Sequence, residues 1–91
     1  MSVFRSTRST SRDFAHLLID EERQRQDAKW GDQSGHSDEK WLAILVEEVG
    51  EVSQAILQQY DRHKLLAELG QVAAVAVAWM EAAWERKNDR L

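Results

Sequence analysis

From Val72 to Met80 every residue is apolar, in a chain that contains no proline at all. A helix that is apolar on every side has to be covered on every side. The composition around it leaves little choice but helix: Ala, Leu, Glu, Gln, Lys and Arg dominate and glycine is scarce. A chain of 91 residues makes one small domain, near the lower limit for folding without staples. Three helices of such a chain cannot wrap a fully apolar one, so it is expected at the centre of a homo-oligomer. Gly70 and the alanines that follow it would let a second helix approach closely.

The expected fold is all-α, with three main helices and a helical hairpin that packs into a homo-oligomeric bundle of the four-helix type. Residues 1–11 are rich in Ser, Thr and Arg and lack acids, which predicts a flexible arm ahead of a single domain over 12–91. The arm's faint likeness to a transit peptide fails on length and on the lack of an amphipathic stripe. The first helix is expected after Thr10 or Ser11, through Phe14, Leu17 and Leu18, to about Lys29 or Trp30. Its polar stretch from Asp20 to Gln26 reads as a solvated face. Gly31 to His36 is the strongest breaker segment. Ser37 then caps a second helix from Asp38 to about Tyr60, with Trp41, Leu42, Leu45, Val49, Val52 and Ile56 as its core face. Asp61 caps a third helix to about Lys87, and the short link makes helices two and three an antiparallel hairpin.

Several functions are disfavoured early. Without cysteine there is no disulfide or zinc–thiolate site, and the three histidines lack ligand-like spacing. A formal charge of −4 gives no general attraction to nucleic acid or anionic membrane. No uninterrupted apolar run reaches the roughly 20 residues of a membrane span. The expected setting is the cytoplasm, with neither membrane nor nucleic acid as a partner.

Acids interrupt the apolar faces of both hairpin helices. With Glu47 at zero, Glu51 lies near 40° and Glu48 near 100°, at the border of a face spanning roughly 120° to 180°. With Glu68 at zero, Leu65, Val72, Val75 and Trp79 all fall within roughly 60° of it. Glu68 is therefore the most anomalous residue in the chain. A buried pair with Lys or Arg, or a protonated carboxyl, would explain it singly. For Glu48, Glu51 and Glu68 together, a shared cation is the other explanation, because facing carboxylates repel without one. Oxygen ligands without histidine suit Mg²⁺ or Mn²⁺.

At these residues the chain resembles the MazG-like nucleotide pyrophosphohydrolases of the all-α NTP pyrophosphatase superfamily. Glu48-x-x-Glu51, followed by Glu68-x-x-Gln71, is similar to that family's Glu-x-x-Glu … Glu-x-x-Asp signature. The flanks agree from Leu45 to Val52 and from Glu68 to Ala76, and Gln26 to Gln33 resembles the family's entry segment. The likeness extends from about Glu21 to Ala83. It implies Mg²⁺-dependent hydrolysis of a (deoxy)nucleoside triphosphate to monophosphate and pyrophosphate, by a homodimer or homotetramer. Glu48, Glu51 and Glu68 would hold metal, and Glu47 would ligate or orient water. The departure is Gln71, whose carbonyl can ligate a hard cation but brings no charge. Fewer metals, weaker binding, a substitute ligand, or nucleotide binding without hydrolysis would each follow from it.

Three further residues are candidates for the substrate: Lys29 for a phosphate, Trp30 for stacking on a base, and Gln33, with His36 nearby, for hydrogen bonds to base or sugar. Packing and turn roles account for them nearly as well. Arg62, His63 and Lys64 place cations against the positive end of helix three, a strain that a bound phosphate would relieve. The rival reading is a non-catalytic helical assembly or nucleotide-binding module whose buried acids are salt-bridged.

Overall fold

The computed structural model describes the backbone of residues 3–90 and the side chains of residues 9–86. Three helices account for most of it: α1 (Val3–Trp30), α2 (Asp38–Leu57) and α3 (Arg62–Arg90). The first starts well before the Thr10 or Ser11 expected from sequence. Residues 1–11 contain no Gly or Pro, so nothing in the backbone stops a helix from extending toward the N-terminus. Met1 and Ser2 of the expected arm lie outside the described residues, as do the side chains of Arg5 and Arg8.

Local chemistry sets the other boundaries. Gly31, at φ 70°, ends α1 while its N–H still reaches the Asp27 carbonyl at 2.9 Å. Ser37 Oγ accepts the Lys40 N–H at 3.1 Å and caps α2, with Asp38 and Glu39 in the first turn. Asp61 Oδ1 accepts the Lys64 N–H at 2.9 Å and caps α3. Between them α2 stops at Leu57 rather than near Tyr60. Gln59 takes the left-handed conformation at φ 57°, its N–H bonds the Ile56 carbonyl, and the Tyr60 N–H bonds the Ala55 carbonyl at 2.9 Å. These are the paired bonds of a Schellman ending, made here without glycine.

Both α1 and α2 pack on α3, and their backbones do not meet each other among the described residues. The core forms where Trp41 of α2 meets Val75 and Ala82 of α3, joined by Ile44, Leu45, Ala78 and Trp79. Arg23 ties α1 to α3, with its guanidinium 2.9 Å from Asp27 and 2.8 Å from Glu81. On the other face of α3, Gly70 admits α1. A Cβ on Gly70 would lie 3.2 Å from Leu18 Cγ, so the second helix expected to approach closely at Gly70 is α1.

The face of α2 turned toward α3 differs from the expected one. Leu42, Val49 and Ile56, assigned to the core from sequence, are exposed, together with Val46 and Leu57. The inward face instead runs from Ile44 through Ala55, Glu48, Trp41 and Val52 to Leu45, roughly 60° to 160° on the same wheel. Glu48 therefore sits in the middle of the packed face, not at its border. Outside it remains an apolar stripe, matched on α3 by Leu69, Met80 and Trp84 and on α1 by Phe14 and Leu17. The segment Arg62–Arg86 of α3 is long and apolar enough to cross a membrane by composition, although one third of its most apolar window is already packed inside this fold. It also carries Glu68, buried against the rest of the chain.

Candidate metal centre

Two turns of α2 and one of α3 bring three carboxylates to one point. One oxygen each of Glu48, Glu51 and Glu68 lies within 4.8 Å of the others. Their settings differ in a graded way. Glu68 is 4 % exposed, Glu48 is partly buried and Glu51 faces solvent. Oε2 of Glu48 and Oε2 of Glu68 are both buried without a hydrogen-bond partner. Glu68 Oε1 pairs with Lys64 Nζ at 2.8 Å, one turn earlier on α3. The buried ion pair expected as the alternative for Glu68 is thus present on one oxygen and absent on the other.

The electrostatic consequence falls on Glu48. Burial, then a hydrogen bond to Glu51, then the charges of Glu51, Glu68 and Glu47 push its pKa up to about 7. Near neutrality Glu48 is therefore still partly protonated, the ordinary response of a carboxyl that is buried beside other acids. A divalent cation would answer the same repulsion and would give unpartnered carboxylate oxygens a ligand role. The donor set is all oxygen, which suits a hard ion.

Beside the trio opens a cleft of about 570 Å³, walled by α1, the loop after it, α2 and α3. Glu47, Glu48, Glu51 and Gln71 line it, and so do Lys29, Trp30 and Gln33, so that most of the residues singled out from sequence share one cavity. Glu68 backs the carboxylates from below rather than lining the opening. Gln71 is one turn beyond Glu68, partly buried, and lines the same cleft as Glu47, Glu48 and Glu51.

Other residues of the wall escaped the sequence reading. Arg25, Gln26, Lys40, Trp41 and Ile44 all contribute. Arg25 and Gln26 stand four residues before Lys29 and Trp30, which puts the four on one helical face. That spacing was a usable signal, masked by the strongly polar composition around it. Gln26 is 7 % exposed, hardly a solvated side chain. Trp30 is half exposed, with Lys29 Nζ 4.7 Å and Arg25 Cζ 5.8 Å from its ring centroid, so it gathers cations at the rim. Glu22 holds Arg25 from behind, with its Oε2 accepting from Nη2 at 2.6 Å.

The loop after α1 is shaped by its own polar groups. Asp32 Oδ1 accepts the Ser34 N–H at 2.9 Å, which holds the Asp32 carboxyl below its usual range. The His36 N–H reaches the Gln33 carbonyl at 3.2 Å, and the His36 ring stands edge-on to Trp41 with centroids 5.1 Å apart. The cleft is therefore acidic on its α2 side, cationic along Arg25, Lys29 and Lys40, and aromatic toward the loop. That is a suitable arrangement for a ligand with a metal-bound anionic end and a flat, polar other end.

Residues 36–89 match the family model of the MazG nucleotide pyrophosphohydrolase domain. The match spans α2 and α3, and so includes the carboxylates and Gln71 but not the α1 wall. No curated protein and no solved structure matches the chain.

Proposed function

Because the chain belongs to the MazG nucleotide pyrophosphohydrolase domain family, we propose that it hydrolyses (deoxy)nucleoside triphosphates to monophosphate and pyrophosphate in the cytoplasm, with Mg²⁺ or Mn²⁺. The observation that carries this reading is the pair of buried carboxylate oxygens, Glu48 Oε2 and Glu68 Oε2, left without donors at the edge of a cleft with a cationic rim.

In this reading Glu48, Glu51 and Glu68 hold the cation, and Gln71 adds a neutral carbonyl. The bound ion would offset the triphosphate's charge and lower the pKa of a water. Glu47, exposed at the cleft wall, orients the attacking water. Lys29 and Arg25 draw the phosphate tail along the rim, and Lys40 closes the opposite side. Gln33, His36 and Trp30 lie where the base or sugar would rest. Water adds at the α-phosphorus and releases a proton to solvent as the bond from that phosphorus to the α,β-bridging oxygen breaks, and pyrophosphate leaves with that bond's electron pair. Positioning and electrostatics supply most of what such a reaction needs.

The active form would be a homodimer or homotetramer. Support comes from the uncovered stripe on α2, from Met80 and Trp84 on α3, and from a groove of about 600 Å³ lined by Phe14, Leu18, Ile19, Leu66 and Leu69. A monomer with this much exposed apolar surface would be unusual.

Release of pyrophosphate from a panel of NTPs and dNTPs, with and without Mg²⁺, tests the activity. No turnover with any nucleotide, together with no rise in Tm on adding the ion, sinks the proposal. The Lys64–Glu68 pair and Gln71 favour one alternative, a nucleotide-binding or assembly module without hydrolysis. Nucleotide binding without turnover would establish it.

A further inference from the structure

We propose that Lys64 is a tethered competitor for the divalent cation, so that its ammonium sets the ion concentration at which the site fills. This rests on Glu48, Glu51 and Glu68 being the metal-holding group. The two partners of the Lys64–Glu68 pair are unequal. At 2.8 Å from Lys64 Nζ, the Glu68 side chain is 5 % exposed and fixed by packing, whereas that of Lys64 is 50 % exposed. Glu68 stays buried, but the half-exposed ammonium can withdraw and rehydrate as an ion takes its place.

Tyr60 can steady the ammonium as it withdraws. Lys64 Nζ, while paired with Glu68, already lies 5.9 Å from the centroid of the Tyr60 ring at the α2–α3 turn, a cation–π contact that rotation of the side chain can tighten. The backbone stays put meanwhile, because the Lys64 N–H is held by the Asp61 cap. Releasing the ammonium therefore requires side-chain rotation only. The charge balance gives the competition its weight. Lys64 offsets part of the trio's negative charge, and Gln71 adds none. An ion that takes the unpartnered Glu68 Oε2 meets a field weakened by the ammonium on Oε1, and the field recovers as that ammonium withdraws.

The test uses the full chain with Lys64→Met, titrated calorimetrically with MgCl₂ and MnCl₂, alongside thermal melts. Lys64→Met should bind either ion on the order of tenfold tighter, the equivalent of one charge-assisted hydrogen bond no longer broken on loading. Its Tm without divalent ion should fall, since Glu68 loses its partner, and its gain in Tm at saturating ion should exceed that of the wild type. Lys64→Arg, which keeps the charge, should stay close to wild-type affinity. Unchanged or weaker affinity in Lys64→Met, with the wild type binding normally, overturns the role of Lys64 and leaves the metal centre standing. Failure of both proteins to bind any ion overturns both. Binding by Lys64→Met alone would be the strongest form of the expected result.

Discussion

Asp38 Oδ1 accepts a 2.8 Å hydrogen bond from Trp79 Nε1, tying the first turn of α2 to a point far along α3. Arg86 shares the same oxygen, so one carboxylate anchors two α3 side chains. It also stands at the positive end of the α2 dipole. Asp38→Ala removes all three interactions, and the expected loss is about 1–2 kcal/mol. Asp38→Asn keeps an acceptor for Trp79 and should lose less. Chemical denaturation of the two variants at one protein concentration measures the difference. Equal stability of Asp38→Ala and wild type would mean that the network is an exposed decoration.

Gln59 adopts φ 57° to close α2, a conformation that costs a side chain with a Cβ about 1 kcal/mol relative to glycine. Gln59→Gly should therefore stabilise the protein by up to about 1 kcal/mol, a gain of several degrees in Tm for a domain of this size. The sign is unusual, since glycine substitutions normally destabilise. A lower Tm would show that the Gln59 side chain makes a contribution larger than its backbone strain.

Protonation of Glu48 makes stability depend on pH in a known direction. Its pKa is about 7 in the fold against an ordinary value of 4.5, so the native state binds the extra proton between the two. The contribution is fully present below about 4.5 and disappears as pH rises through about 7. With EDTA present, the Tm of the wild type minus that of Glu48→Gln should become more negative from pH 5 to pH 8. Divalent cations, which displace the proton, should bind more tightly across the same rise. A difference that is flat with pH would mean that Glu48 is already ionised at pH 5.

Much of this architecture was legible because it is written locally. Ser37 and Asp61 announce the starts of α2 and α3 through the side chains that cap them, and Glu68 betrays itself by sitting in an apolar stripe. What escaped depends on choices made between helices. Both Trp41 and Leu42 fit an apolar face of α2, and only the angle at which α3 packs decides that Trp41 is buried and Leu42 is not. The same rotation moves Glu48 to the centre of the interface. Gln26 looks solvated in sequence and is buried at the cleft wall, while Arg25 lines the same cleft and stays exposed. At Gln59 no glycine marks the end of the helix, so the turn is invisible in composition.

Glu68→Gln separates the two explanations for a buried acid. If Glu68 holds a cation, the variant should lose pyrophosphohydrolase activity by a factor of about 100 or more, as an amide removes charge where it is needed. Stability should change little, because the half-exposed Lys64 can return to water. Circular dichroism melts beside the activity assay check both. Retained activity with a marked loss of Tm would identify Glu68 as a structural ion-pair residue.

Gln71 lines the cleft with Glu47, Glu48 and Glu51, at the place where the family signature carries an acid. Gln71→Asp would add a fourth carboxylate beside a trio in which burial, and then its acidic neighbours, already push the pKa of Glu48 up to about 7. Two opposite effects follow from that one charge. Without divalent ion the variant should melt at a lower temperature than the wild type. With Mg²⁺ it should bind on the order of tenfold tighter and recover the lost stability. Titration of both proteins with MgCl₂, followed by Tm against ion concentration, measures the crossing of the two curves. If the affinity is unchanged while the ion-free Tm still falls, Gln71 stands close enough to feel the carboxylates but too far to ligate.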